Sequence, residues 1–123
     1  MKDKKILVVD DDITSLDIVG YLFETGGFQV HRSADGTTAL EIAAEVRPDA
    51  VVVDLMMPEV DGVETIKRLR ANGFGGIPII AFTAADESLL HEDALAAGCN
   101  CVLTKPVRPD KLLSVVTELL SRS

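Results

Sequence analysis

Five short β-rich runs alternate along this chain with five amphipathic stretches, and no other feature narrows its fold as far. The runs are Lys5–Val9, Phe28–Arg32, Ala50–Val53, Ile77–Phe82 and Cys101–Thr104. They are continuously apolar rather than alternating, the pattern of strands buried on both faces. Between the first two, Ile13, Leu16, Val19 and Leu22/Phe23 recur at three and four, the spacing of one helix face, until Gly26-Gly27 stops it. Asp35-Gly36 opens a second helix with Leu40, Ala43 and Val46 on one face, closed before Pro48. Val63, Ile66 and Leu69 mark a third, entered through Asp61 as a cap and ended at Asn72-Gly73. Asp86 is expected to cap a fourth, Ala-rich helix reaching Gly98. Pro109 suits the first position of the last, whose apolar face is Leu112, Val116 and Leu119/Leu120. Strict alternation implies a parallel sheet with helices on both faces and right-handed crossovers. It leaves the strand order open, but it directs attention to the carboxyl ends of the strands, where open sheets place their sites.

Composition closes off several function classes. A length of 123 residues fits one domain, expected to span residues 1–123. An apolar share of 47% against 26% charged residues is ample for a packed core and far from a disordered chain. With 12 basic against 20 acidic residues the formal charge is −8, a surface that a phosphate backbone repels, so direct nucleic-acid binding is not expected. Part of that acidic excess can instead serve a cation site. No apolar run approaches bilayer length, and Met1-Lys2-Asp3-Lys4-Lys5 enters the first strand without a signal-peptide core. A cytoplasmic protein with no membrane partner is the expectation. Cys99 and Cys101 stand one residue apart, poor geometry for a disulfide, and no further Cys or His cluster completes a zinc site. They read as small side chains at a helix end and a strand start.

The strand ends carry the chemistry. Asp10, Asp11 and Asp12 follow the first run, Asp54 the third, Thr83 the fourth, and Lys105-Pro106 the fifth. Each residue alone has a plain structural explanation, since a lone Asp closing a strand is usually a cap or a turn residue and a lone Lys is usually solvated. Four strand ends that each deliver a phosphate- or metal-binding group to one edge are harder to explain that way. Converging Asp10, Asp11 and Asp54 would repel one another in a low-dielectric cleft unless a cation neutralised them, and Mg²⁺ takes a few carboxylate or carbonyl oxygens plus water and phosphate. Lys105 supplies a fixed positive charge, and Thr83 a hydroxyl donor. Asp12 reads as the cap of the first helix. Neither His31 nor His91 sits at a strand end, and there is no Gly-x-Ser-x-Gly elbow and no Gly-x-x-x-x-Gly-Lys phosphate loop. A carboxylate attacking a phosphoryl group needs little beyond in-line positioning and charge neutralisation, and this cluster offers both.

Leu7-Val8-Val9-Asp10-Asp11-Asp12, Val53-Asp54-Leu55-Met56-Met57-Pro58-Glu59-Val60-Asp61-Gly62, Phe82-Thr83-Ala84 and Leu103-Thr104-Lys105-Pro106 together resemble the receiver domains of two-component response regulators. The resemblance spans essentially the whole chain. It implies a flavodoxin-like α/β fold, a doubly wound five-stranded parallel sheet of order 2-1-3-4-5 with five helices. It implies that Asp54 accepts a phosphoryl group from a histidine kinase or a histidine phosphotransfer protein in a Mg²⁺-dependent reaction. Asp11 would then bind Mg²⁺ directly, Asp10 largely through water, and Asp54 and the Met56 carbonyl would complete the ligands. Thr83 would hydrogen-bond the phosphoryl oxygens, Lys105 would pair with Asp54 and then with the phosphate, and Lys105–Pro106 would be cis. Such a protein catalyses only its own phosphorylation and dephosphorylation and is not otherwise an enzyme. Its output is a changed surface on the fourth and fifth helices and fifth strand, read by a downstream partner or an output domain outside this chain.

One position sets this chain apart from the family pattern. Val102 stands where the fifth strand often carries Tyr or Phe, so an aromatic swing coupled to Thr83 is not expected. Met56 and Ala85, two residues beyond Asp54 and Thr83, cannot orient a water strongly, so steric access should set the lifetime of the phosphoryl group. Two other functions compete with the switch. A receiver-like module that works without phosphate would not need the complete set Asp10, Asp11, Asp54, Thr83 and Lys105. A small Mg²⁺-dependent phosphatase of the haloacid-dehalogenase type would need a second acid two residues after its nucleophile, where this chain has Met56.

Overall fold

A computed structural model of the chain describes residues 3–57, 61–84 and 88–122. Five strands, β1 (Lys5–Val9), β2 (Gln29–Ser33), β3 (Ala50–Asp54), β4 (Ile79–Ala84) and β5 (Cys101–Lys105), form one sheet in the order β2-β1-β3-β4-β5. Every neighbouring pair is parallel. The helices α1 (Ile13–Thr25), α2 (Gly36–Val46), α3 (Gly62–Ala71), α4 (Ser88–Ala97) and α5 (Pro109–Ser121) fill the crossovers.

Side chains alternate across each strand, so a continuously apolar run feeds two cores at once. Leu7 and Val9 of β1 join Val51 and Val53 of β3 under α2, α3 and α4, against Ala39, Ala43, Ile66, Leu69 and Ala94. Ile6 and Val8 point the other way, joining Val52, Ile80 and Phe82 under α1 and α5, against Leu16, Phe23, Leu112 and Val116. Fully burying one such aliphatic side chain stabilises the fold by roughly 1.5–3 kcal/mol.

The helix starts follow the capping residues read from the sequence. Asp12 accepts from the Thr14 amide at 3.2 Å, Asp35 from the Thr38 amide at 2.7 Å and Asp61 from the Glu64 amide at 2.9 Å. Pro109 opens α5 as expected. The Asp86 cap lies outside the described residues.

Strand boundaries moved in two ways. β2 starts one residue later than its apolar run because Phe28 turns into the core and meets Phe23 edge-on, with centroids 5.3 Å apart. β4 starts at Ile79 instead of Ile77, since Pro78 has no amide to give the ladder, although its carbonyl accepts from Val51 at 3.0 Å. β3, β4 and β5 each run one or two residues past their apolar stretch. The polar residues at their ends keep the ladder, with Asp54 paired to Phe82, Thr83 to Thr104 and Ala84 to Lys105.

Candidate functional site

Register alone gathers the site. β1 and β3 are neighbours with Val9 opposite Val53, so Asp10 and Asp54 leave adjacent strands at the same level. β4 brings Thr83 beside Asp54, and β5 ends with Lys105 one strand further out. The central strands are buried to their ends, and they carry polar groups inside with them. Asp10 is 3% exposed, Asp54 5% and Thr83 1%.

Asp54 uses both carboxylate oxygens. Oδ1 accepts from the Met56 amide at 2.9 Å, and Oδ2 accepts from Lys105 Nζ at 2.8 Å. Asp10 makes the matching turn contact, its Oδ1 accepting from the Asp12 amide at 3.0 Å, while its Oδ2 lies 3.6 Å from Lys105 Nζ. Each acid thus bonds the amide two residues on, the Asx turn that sequence alone would assign, and still presents an oxygen to the cluster.

One lysine cannot balance this set. Oxygens of Asp10, Asp11 and Asp54 all lie within 4.8 Å of one another. Burial pushes the Asp10 carboxyl above its ordinary value; the Asp12 amide opposes this, the charge of Asp54 adds to it, and Lys105 offsets part. At Lys105 burial works against the ammonium, yet the hydrogen bond to Asp54 and the charges of Asp54 and Asp10 outweigh it and hold the pKa above the ordinary value. Crowded hard oxygens with an unbalanced negative charge fit a small divalent cation.

Thr83 Oγ1 is buried and has no hydrogen-bond partner among the described residues. An unpaired buried hydroxyl costs about 1–3 kcal/mol, so an oxygen placed beside Thr83 would gain a favourable donor. Among the other residues singled out from sequence, Met56 carries a side chain 54% exposed beside Asp54, and Ala85 lies outside the described residues. Val102 is half-buried against the α2–α4 core, and Cys101 packs against the opposite one. Both cysteines are free. Asp12 caps α1, with Ser15 Oγ donating to it at 2.9 Å, and is not one of the clustered acids. The Lys105–Pro106 peptide is cis.

Two supporting residues escaped the sequence reading. Gly62, at the start of α3, lies against the backbone of Asp54 and Leu55, where any Cβ would collide with the Asp54 carbonyl. Arg70, near the end of α3, donates to the Gly98, Phe74 and Ile77 carbonyls and to Asn100 Oδ1, which in turn accepts from the Ile79 amide at 2.8 Å. Asp61 was visible as a helix cap, but nothing local signals how closely Gly62 approaches the strand. Arg70 reaches partners 28 and 30 residues away, and no local pattern encodes that.

Comparison with known proteins gives a consistent answer. Residues 6–117 match the family described as response regulator receiver domain. The chain is 37% identical to the alkaline phosphatase synthesis transcriptional regulatory protein PhoP of Bacillus subtilis, over 98% of this chain and 50% of the relative. It spans about half the length of the curated relatives it matches. Among solved structures, the chemotaxis response regulator CheY4 of Vibrio cholerae is 30% identical with a TM-score of 0.90, covering 95% of this chain and 98% of that one. The signal receiver domain of a signal transduction histidine kinase from Syntrophus aciditrophicus is 29% identical with a TM-score of 0.89, covering 97% and 91%.

Proposed function

The chain belongs to the response regulator receiver family, and from that membership we propose that residues 1–123 act as one cytoplasmic receiver domain switched by phosphorylation of Asp54. The observation that carries the reading is the environment of Asp54. It is a buried carboxylate fixed by the Met56 amide and Lys105, set among two further acids, and near a buried hydroxyl that has no partner among the described residues.

Asp10, Asp11 and Asp54, with the Met56 carbonyl, would hold Mg²⁺. The ion supplies neutralisation of the converging carboxylates and of the charge on the incoming phosphoryl oxygens. The chain's own residues do the rest. The Met56 amide and Lys105 hold the Asp54 carboxylate in one orientation. An Asp54 oxygen forms a bond to phosphorus as the bond from phosphorus to the donor's histidine nitrogen breaks, and the donor is a histidine kinase or a histidine phosphotransfer protein. Lys105 then turns its ammonium from Asp54 to a phosphoryl oxygen, and Thr83 donates its unused hydroxyl to another. Asp54 is the acceptor and no substrate leaves, so the reaction is the protein's own modification.

Satisfying Thr83 at the phosphorylated site draws its strand end inward and shifts the surface of α4, β5 and α5 between two populations. Val102 is half-buried and small, so this shift proceeds without an aromatic swing. The three relatives come from a transcriptional regulatory protein, a chemotaxis protein and a histidine kinase, three settings for one kind of domain. The downstream reader is accordingly a protein partner or an output domain outside these residues.

Intact mass after incubation with Mg²⁺ and acetyl phosphate tests the reading. Gain of one phosphoryl group is expected, absent without Mg²⁺ and absent in Asp54→Asn. No gain with a protein shown separately to bind Mg²⁺ would overturn it in favour of a phosphate-independent module.

A further inference from the structure

A groove of about 450 Å³ opens between α1 and the segment that joins β5 to α5. Ile18 and Leu22 of α1 line one side, Val107 and Leu112 the other, and Phe82 of β4 completes the apolar lining. Asp10 and Lys105 also line it, and Lys105 Nζ lies 3.6 Å from Asp10 and 2.8 Å from Asp54. The groove therefore reaches the side of the cluster that carries Asp10 and Lys105. Ile18 stands at its edge, 61% exposed, a large apolar side chain held in water. A space of this size, mostly apolar with a few polar groups to one side, suits a small molecule with an apolar body and one charged head.

We propose that this groove selects among low-molecular-weight acyl phosphates, favouring as phosphoryl donors those that carry a short hydrocarbon tail. The inference rests on the reading of Asp54 as phosphoryl acceptor. The phosphoryl head meets Lys105 and the acid cluster, and the tail lies against Ile18, Leu22 and Val107. In the step itself an Asp54 oxygen forms the new bond to phosphorus, and the bond from phosphorus to the donor's carboxylate oxygen breaks. Its electron pair leaves on the fatty carboxylate, and no proton is transferred. Straight-chain carboxylates are nearly equal leaving groups, so lengthening the tail changes contacts with the groove and leaves the reactivity of the head alone.

Initial phosphorylation rates, read by intact mass with Mg²⁺ at equal, sub-saturating acetyl and hexanoyl phosphate, test the proposal. Each methylene fully buried is worth up to about fourfold, so hexanoyl phosphate should react about tenfold faster or more. Ile18→Ser and Val107→Ser should shrink that ratio toward one with little change in the acetyl rate, whereas Leu89→Ser, exposed on α4, should keep it. Equal rates for the two donors in the wild-type protein, or a preference that survives both groove substitutions, would overturn the proposal. Either result, with acetyl phosphate still modifying Asp54, would leave the acceptor reading standing. Failure of both donors would remove the two together.

Discussion

At the scale of single residues, the site holds groups that cost the resting protein stability. Thr83 Oγ1 is buried with no partner among the described residues, so Thr83→Val, which keeps the shape and drops the hydroxyl, should leave the unphosphorylated protein equally or more stable, by about 0–2 kcal/mol. The same variant should lose the phosphorylation-dependent change in partner affinity, and urea melts beside binding measurements check both. Asp10 has a raised pKa, so folding takes up a proton between the ordinary 3.8 and the higher folded value, and stability falls as pH rises through that window. Asp10→Asn should then be more stable than wild type at neutral pH without Mg²⁺, by a few degrees in Tm or on the order of 1 kcal/mol. The two should converge below pH 3.8. Lys105 has a consequence of the same sign in a higher pH window. Its raised pKa contributes stability that is full below 10.5 and is lost as pH rises through the folded value. Asp10 and Asp54 were legible in the sequence because each ends an apolar run. The burial of the Thr83 hydroxyl was not, since it depends on what surrounds β4 in three dimensions.

At the scale of elements, the supporting contacts decide how firmly the site is held. Gly62 seats α3 against the end of β3, and Gly62→Ala would drive a methyl group into the Asp54 carbonyl. It should destabilise by about 1–3 kcal/mol and slow phosphorylation beyond what the stability loss explains, because the displaced strand carries the acceptor. A melt combined with a rate from intact mass separates the two effects. Arg70 ties α3 to the turn between α4 and β5 through the Gly98 carbonyl and Asn100, and to the segment before β4 through the Phe74 and Ile77 carbonyls. Arg70→Ala should cost about 2–4 kcal/mol, read as a lower urea midpoint with an unchanged slope, and Lys should not restore it, since one ammonium cannot span that fork of acceptors. The helices were readable from period and caps, as Asp12, Asp35 and Asp61 show. Strand ends were read short because an apolar run stops at the first polar residue while backbone pairing continues through it, as at Asp54 and Lys105.

At the scale of the whole molecule, the two cores fix the sheet and the sheet fixes the site. Alternation in the sequence implied the layers, while the order β2-β1-β3-β4-β5 came only with the family resemblance, because local pattern does not say which strands pair. Within that fold the central proposal is that Asp54 alone takes the phosphoryl group. The most direct test is to phosphorylate the wild-type protein with acetyl phosphate and Mg²⁺, reduce the acyl phosphate with borohydride, and map the resulting homoserine by peptide mass. The account predicts the modification at Asp54 alone. Homoserine at Asp10 or Asp11, or at an acid outside the cluster, would contradict it.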